Sequence, residues 1–159
     1  IANHVLEHAS NPVGALVQWF RVLKPGGILY CALPRMDITF DKHRKLTHPQ
    51  HMLEDYYLCE SQAIEEMRQR NLVHYHEWLS LAIPSHTGLP PPPAEELIRQ
   101  IQDYSAREEE IHFHTFTMKS TMAFLQELCK SILPEMRIVE SIDARAEILL
   151  ILRKAPQVH

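Results

Sequence analysis

The sequence predicts an α/β fold around a sheet that is parallel in part and closed by an antiparallel hairpin, and three observations predict it. Val13, Leu16, Val17, Phe20 and Leu23 recur at helical spacing and run into Pro25-Gly26-Gly27, after which Ile28 to Leu33 form an apolar stretch. A helix, a tight turn and a strand apolar on both faces make half of a crossover unit of a parallel sheet. Ile148-Leu149-Leu150-Ile151-Leu152 is the most apolar run in the chain, which places it centrally in that sheet. Met136–Ile142 and Ala146–Leu152 read as strands either side of a turn at Asp143-Ala144-Arg145, giving an antiparallel pair.

The remaining elements follow in order. Asn11 caps the first helix and Pro12 suits its first turn. Pro34 to Pro49 is a polar loop beyond the carboxyl end of the first apolar strand, the end at which open α/β sheets bind ligands. Thr47 or His48 opens a short helix through about Leu58. Ser61 caps a second, carrying Ile64, Met67, Tyr75, Trp78 and Leu79. Gly88-Leu89-Pro90-Pro91-Pro92-Pro93 is a loop of polyproline character, and Pro93 leads a helix with Ala94, Leu97, Ile98, Ile101 and Tyr104 on one face. Ile111 to Phe116 is extended, and Thr117 caps the last helix, with Met122, Leu125, Leu128, Cys129 and Ile132.

Composition narrows the function classes. The 159 residues fit one domain, with 45% hydrophobic and 23% charged residues. A net charge of -4 gives no support to nucleic-acid binding. No apolar run approaches the roughly 20 residues of a membrane helix, so no membrane partner is expected. The three cysteines, Cys31, Cys59 and Cys129, form no Cys-x-x-Cys pair; reduced thiols and a cytoplasmic location are the simplest reading. The chain has 4 glycines and no Gly-x-Gly. It opens on Ile1-Ala2-Asn3-His4 without Met or a capping signal, as if cut inside an element.

Three segments carry a family resemblance. Asn3-His4-Val5-Leu6-Glu7-His8, Asn11-Pro12 and Trp19 to Gly27 together resemble the region after the fourth strand of class I S-adenosylmethionine-dependent methyltransferases. Phe40-Asp41-Lys42-His43-Arg44-Lys45-Leu46-Thr47, with His51 and Asp55-Tyr56, is similar to a segment of certain small-molecule methyltransferases. Ile111-His112-Phe113-His114 resembles another segment of the same set. The resemblance runs along nearly the whole chain and implies the C-terminal portion of such a domain. The implied fold is a partial Rossmann-like sheet, strands four to seven, with the antiparallel C-terminal hairpin and a helical His-rich insertion. It is expected as one partial domain over 1–159. Residues 1–33 would hold the end of the fourth strand, a helix and the fifth strand, 34–116 the substrate-side loops and helices, and 117–159 the last helix and hairpin. The glycine-rich loop and acidic ribose-binding residue of the family have no counterpart here. By resemblance, Asn3 and His4 border the methionine end of the cofactor.

Several side chains have the chemistry of a site. His4 is a candidate general base, because imidazole titrates near neutral pH, or else lines the cleft. His8 is open to the same two readings. His43 and Arg44 offer an anion site, with bidentate contacts from Arg, or form a solvated basic loop. His51 and Asp55 share a helix face at four-residue spacing, and His112 and His114 share a strand face at two-residue spacing. His51, His112 and His114 are candidate substrate contacts. His51, Asp55, His112 and His114 are equally a candidate divalent-metal set. His74 and His76 do not face each other on a helix and are set aside.

The leading expectation is methyl transfer from S-adenosylmethionine to a small-molecule acceptor, incomplete within this chain. A non-catalytic binding module of the same fold, and a metal-assisted hydrolase built on the histidines, are the alternatives. A second copy of the chain is the expected protein partner, covering an exposed sheet edge.

Overall fold

The computed structural model describes residues 1–156. The closing part of the expected domain includes residues 157–159, which lie outside the described residues. The elements are β1 (Ala2–Asn3), α1 (Pro12–Val22), β2 (Ile28–Pro34), α2 (Pro49–Glu60), α3 (Ile64–Glu77), α4 (Ile83–Thr87), α5 (Ala94–Arg107), α6 (Met118–Ser131), β3 (Met136–Ala144) and β4 (Glu147–Lys154). A π turn at Trp78–Ala82 joins α3 to α4 without a break.

The four strands form one mixed sheet in the order β1-β2-β4-β3. β1 runs parallel to β2, with Ala2 opposite Cys31. β4 enters antiparallel to β2, with Leu150 opposite Cys31, and pairs with β3 on its other side. The apolar run of β4 is therefore internal to the sheet, as its hydrophobicity predicts. β3 continues through Ala144, so the turn is Arg145-Ala146 rather than Asp143-Ala144-Arg145. Arg145 takes the left-handed φ of 55° that a two-residue hairpin turn requires.

Local chemistry explains the helix ends. The Asn11 side chain accepts a hydrogen bond from the Gly14 amide at 2.8 Å. Thr117 and Ser120 form a reciprocal capping box at the start of α6. Two other ends differ from expectation. His48 stands at the start of α2 but makes no side-chain cap bond; its carbonyl accepts from the His51 amide at 3.0 Å instead. Ser61 instead closes α2, bonding to the Leu58 carbonyl, and α3 starts after Ala63.

α1 and α6 pack on the sheet, burying Leu16, Phe20, Phe124, Leu125 and Leu128 against Leu33, Ile148 and Leu152. α3, the π turn after it and α5 surround a smaller cluster of Tyr75, Ile111 and Phe113. The segment between α5 and α6 joins the two cores. It forms no ladder, its one bridge being Arg35 to Phe116. Side chains hold it instead: the amide of Thr47 donates to Thr115 Oγ1 and the amide of Thr115 to Thr47 Oγ1, both at 3.0 Å. The Phe113 amide donates to the Glu7 carbonyl at 2.8 Å. The polar loop after β2, the turn after β1 and α2 thereby meet at the carboxyl ends of β1 and β2.

On the far side of β1, Ile1, Val5, Val22 and Ile28 are exposed and border a shallow depression of about 320 Å³. No helix among the described residues is long and apolar enough to cross a membrane.

Candidate functional site

Two polar clusters sit beneath the α3–α4 unit, one on either side of Phe113. The first is built on Asp41, from the 3-10 turn Phe40–His43. Asp41 Oδ2 lies 2.7 Å from His112 Nδ1, and its Oδ1 accepts from Arg44 at 2.9 Å. Arg44 also donates to the carbonyls of His112 and Phe113, at 2.6 and 3.1 Å. Burial raises the Asp41 carboxyl, but the His112 hydrogen bond and the Arg44 charge overcome it, so its pKa stays below the ordinary value. A carboxylate on Nδ1 fixes the proton there and leaves Nε2 of His112 with its lone pair free. The ring is flanked by Phe40 and Trp78 and meets His8 edge-on, with centroids 4.7 Å apart.

His8 and Glu7 complete this region from the 3-10 turn Leu6–His8 that follows β1. Glu7 is fully buried, and neither of its carboxylate oxygens has a hydrogen-bond partner. Nδ1 of His4 lies 3.3 Å from Glu7 Oε1. Nδ1 of His8 is likewise buried without a partner. His8 also lines a cavity of about 530 Å³ with Met67, Asn71, Tyr75, Glu110 and Phe113. That volume lies within the range of about 300–1,000 Å³ typical of small-molecule sites.

The second cluster holds His51 and Asp55 of α2, His74 of α3 and His114. His51 Nε2 is 3.0 Å from His74 Nε2 and 3.3 Å from Asp55 Oδ2. His114 Nε2 is 3.9 Å from the same carboxylate oxygen. Arg70 Nε donates to Asp55 Oδ1 at 2.6 Å. Burial pushes the His74 pKa down to about 3 and drives that of His114 well below its ordinary value. Both imidazoles are therefore neutral. Burial also lowers the His51 pKa, against the pull of Asp55, and raises that of Asp55 itself. Asp55 Oδ2 and His114 Nδ1 are buried with no hydrogen-bond partner.

The residues expected from sequence are thus divided. His51, Asp55 and His114 come together, but His112 does not join them. It belongs with Asp41 and His8, because Ile111–Phe116 has no strand pairing to hold alternate side chains on one face. Arg44 is buried, and its guanidinium is taken up by Asp41, two carbonyls and Glu77. It braces the loop rather than forming, with His43, an open anion site; His43 is exposed beside it. His4 follows β1 with a left-handed φ of 50°, and its Nε2 lies 2.6 Å from Glu147. Both of its ring nitrogens thus face carboxylates, and Asn3 beside it is exposed. Sequence reasoning passed over Asp41, Glu7 and His74. Local spacing relates His74 only to His76, whereas its partners come from α2 and from His114. The visible signal was that it lies seven residues after Met67, on the face that α3 buries.

The model of the methyltransferase domain family matches residues 1–31. The matched segment runs from β1 through α1 into β2 and is similar to that part of a methyltransferase domain. The match falls in the N-terminal portion of the chain. The likeness read in Phe40–Tyr56 and Ile111–His114 lies outside it. No curated protein and no solved structure matches the chain.

Proposed function

We propose that this chain forms the acceptor side of a methyltransferase that moves a methyl group from S-adenosylmethionine to a small molecule. The Arg44–Asp41–His112 relay beside the His8 cavity carries the reading. β1, β2, β3 and β4 then correspond to strands four, five, six and seven of the Rossmann-like sheet, with α2 to α5 as the His-rich insertion. The three free cysteines fit a cytoplasmic protein.

The acceptor occupies the cavity lined by His8, where Met67, Tyr75 and Phe113 supply apolar wall. His112 Nε2 takes the proton from the acceptor's hydroxyl or amine as the nucleophile forms, and Asp41 stabilises the imidazolium. His8 positions the acceptor between cavity and base. The fit to the cofactor is partial: Asn3 and His4 would border its methionine end, and no Gly-x-Gly loop accompanies them. When bound, the cofactor supplies an electrophilic methyl group on a sulfonium.

The test uses the natural full-length polypeptide that contains this chain. Labelled S-adenosylmethionine is supplied with an extract of small metabolites. Label is expected in the small-molecule fraction, falling by about 10²-fold or more in His112→Gln, the usual weight of a general base. Label found only in protein or nucleic acid, or transfer indifferent to His112, would overturn the reading.

A further inference from the structure

We propose that His51, Asp55, His74 and His114 bind a divalent transition ion of the zinc class in a closed, four-ligand site that ties α2 and α3 to the segment before α6. The proposal is independent of methyl transfer.

Geometry comes first. One ligand atom from each of the four residues lies within 4.8 Å of those of the other three. A tetrahedral zinc site with bonds of about 2.0–2.1 Å has edges of about 3.3–3.4 Å. Three of the six separations, at 3.0, 3.3 and 3.9 Å, bracket that edge, and the rest lie within 4.8 Å, so side-chain rotations would close the site. The ligands come from three separate stretches of chain, and Asp55, His74 and His114 are buried. A site of this kind crosslinks its surroundings much as a small core does.

Satisfaction comes second. His114 has a side chain with no exposure, Asp55 has 2%, and each carries a polar atom with no partner. A buried unpartnered polar atom costs roughly 1–3 kcal/mol, so natural proteins rarely keep two in one cluster without a ligand. A cation held by Asp55 Oδ2 removes that atom's cost, while His114 would ligate through Nε2, 3.9 Å away, and keep Nδ1 outside the site. Three imidazoles and one carboxylate suit zinc, while magnesium and calcium prefer oxygen. A first-row divalent ion is therefore the class the donors select.

Of the outer contacts, one suits a metal and one has to be exchanged for it. Arg70 Nε on Asp55 Oδ1 orients the carboxylate with Oδ2 left over, as partners of ligating carboxylates do. Arg70 Nη2 additionally donates to His51 Nδ1 at 2.9 Å. With that bond made, the His51 proton sits on Nε2 and points to His74. Ligation through Nε2 moves the proton to Nδ1. Arg70 Nη2 then keeps the His51 carbonyl and Glu54, already at 3.2 and 3.3 Å.

The experiment strips the full chain with a chelator and adds zinc alone. One zinc per chain is expected by elemental analysis, with a rise in the unfolding midpoint. X-ray absorption should show four light scatterers and no sulfur. His74→Gln and His114→Gln should each weaken binding at least tenfold. His76→Gln, exposed on the same helix, should not. Cobalt(II) titrated into the unmodified chain keeps the test independent of whether variants fold. Intense visible bands of a four-coordinate ion are expected. Weak six-coordinate bands, no stoichiometric zinc, or equal loss in His76→Gln and His74→Gln would overturn the proposal. Stoichiometric zinc without any methyl transfer would leave the site standing and remove only the functional reading.

Discussion

At the scale of single residues, burial decides which groups are available for chemistry. Cys31 sits in β2 with no exposure, and its thiol pKa is pushed up to about 12, chiefly by burial and then by the Glu7 charge. Cys59, at the end of α2, is exposed. The thiolate is the reacting form, so an alkylating reagent at neutral pH should label Cys59 and spare Cys31 in the folded chain. Mass spectrometry after brief labelling reads this directly, and early modification of Cys31 would show that the β1–β2 core opens readily. Asp41 makes the opposite case, a charge kept inside by two partners. Asp41→Asn leaves Arg44 buried without its carboxylate, and the loss of one partner of such a pair costs roughly 3–5 kcal/mol. Chemical denaturation should show that loss at unchanged m-value. A change below about 1 kcal/mol would place Arg44's real support in the carbonyls of His112 and Phe113.

At the scale of elements, α1 offers a test in which two effects oppose. Gly14 lies in the first turn of the helix, where alanine normally gains about 0.5–1 kcal/mol. A Cβ there, however, would stand 2.4 Å from Asn11 Nδ2 and displace the side chain that caps the helix. Loss of an Asn cap costs about 1 kcal/mol, so Gly14→Ala should be close to neutral, while Asn11→Ala should cost the full cap. Thermal unfolding of the pair and the double variant checks this; a clear gain from Gly14→Ala would mean the cap contributes little. Helix starts of this kind were legible in the sequence, because caps act within four residues. The same holds for β4, whose burial follows from its own composition. What could not be read was where distant elements meet. The His-x-His spacing of His112 and His114 predicts a shared face only if the strand has a neighbour, and Arg35–Phe116 is the sole bridge there. His74 finds His51 from 23 residues away. That contact depends on how α3 lies on α2, which no local pattern encodes.

At the scale of the molecule, the chain has two cores of unequal strength. The larger is built from the sheet with α1 and α6, and includes fully buried Phe20, Phe124, Leu33 and Ile148. The smaller rests on Tyr75, Ile111 and Phe113, with Trp78, Ile101 and Tyr104 partly covering it. α5 contributes no buried residue at all, although its one-sided apolar face lies against α3. An element that buries little opens at low cost, so α5 should exchange its amides through a local opening well below the global unfolding energy. β4 and α6 should exchange only on global unfolding. The second cluster joins α3 of the weaker half to α2, which packs into the larger core through Met52 and Leu53, so an ion held there ties the weaker half to the stronger. Zinc is accordingly expected to slow exchange in α3 strongly and in β4 hardly at all. Hydrogen exchange followed by mass spectrometry, with and without zinc, separates the cases. Equal protection of α5 and β4 in the stripped chain would mean that the two cores unfold as one unit. Zinc would then raise protection uniformly, because it could act only on the single global transition.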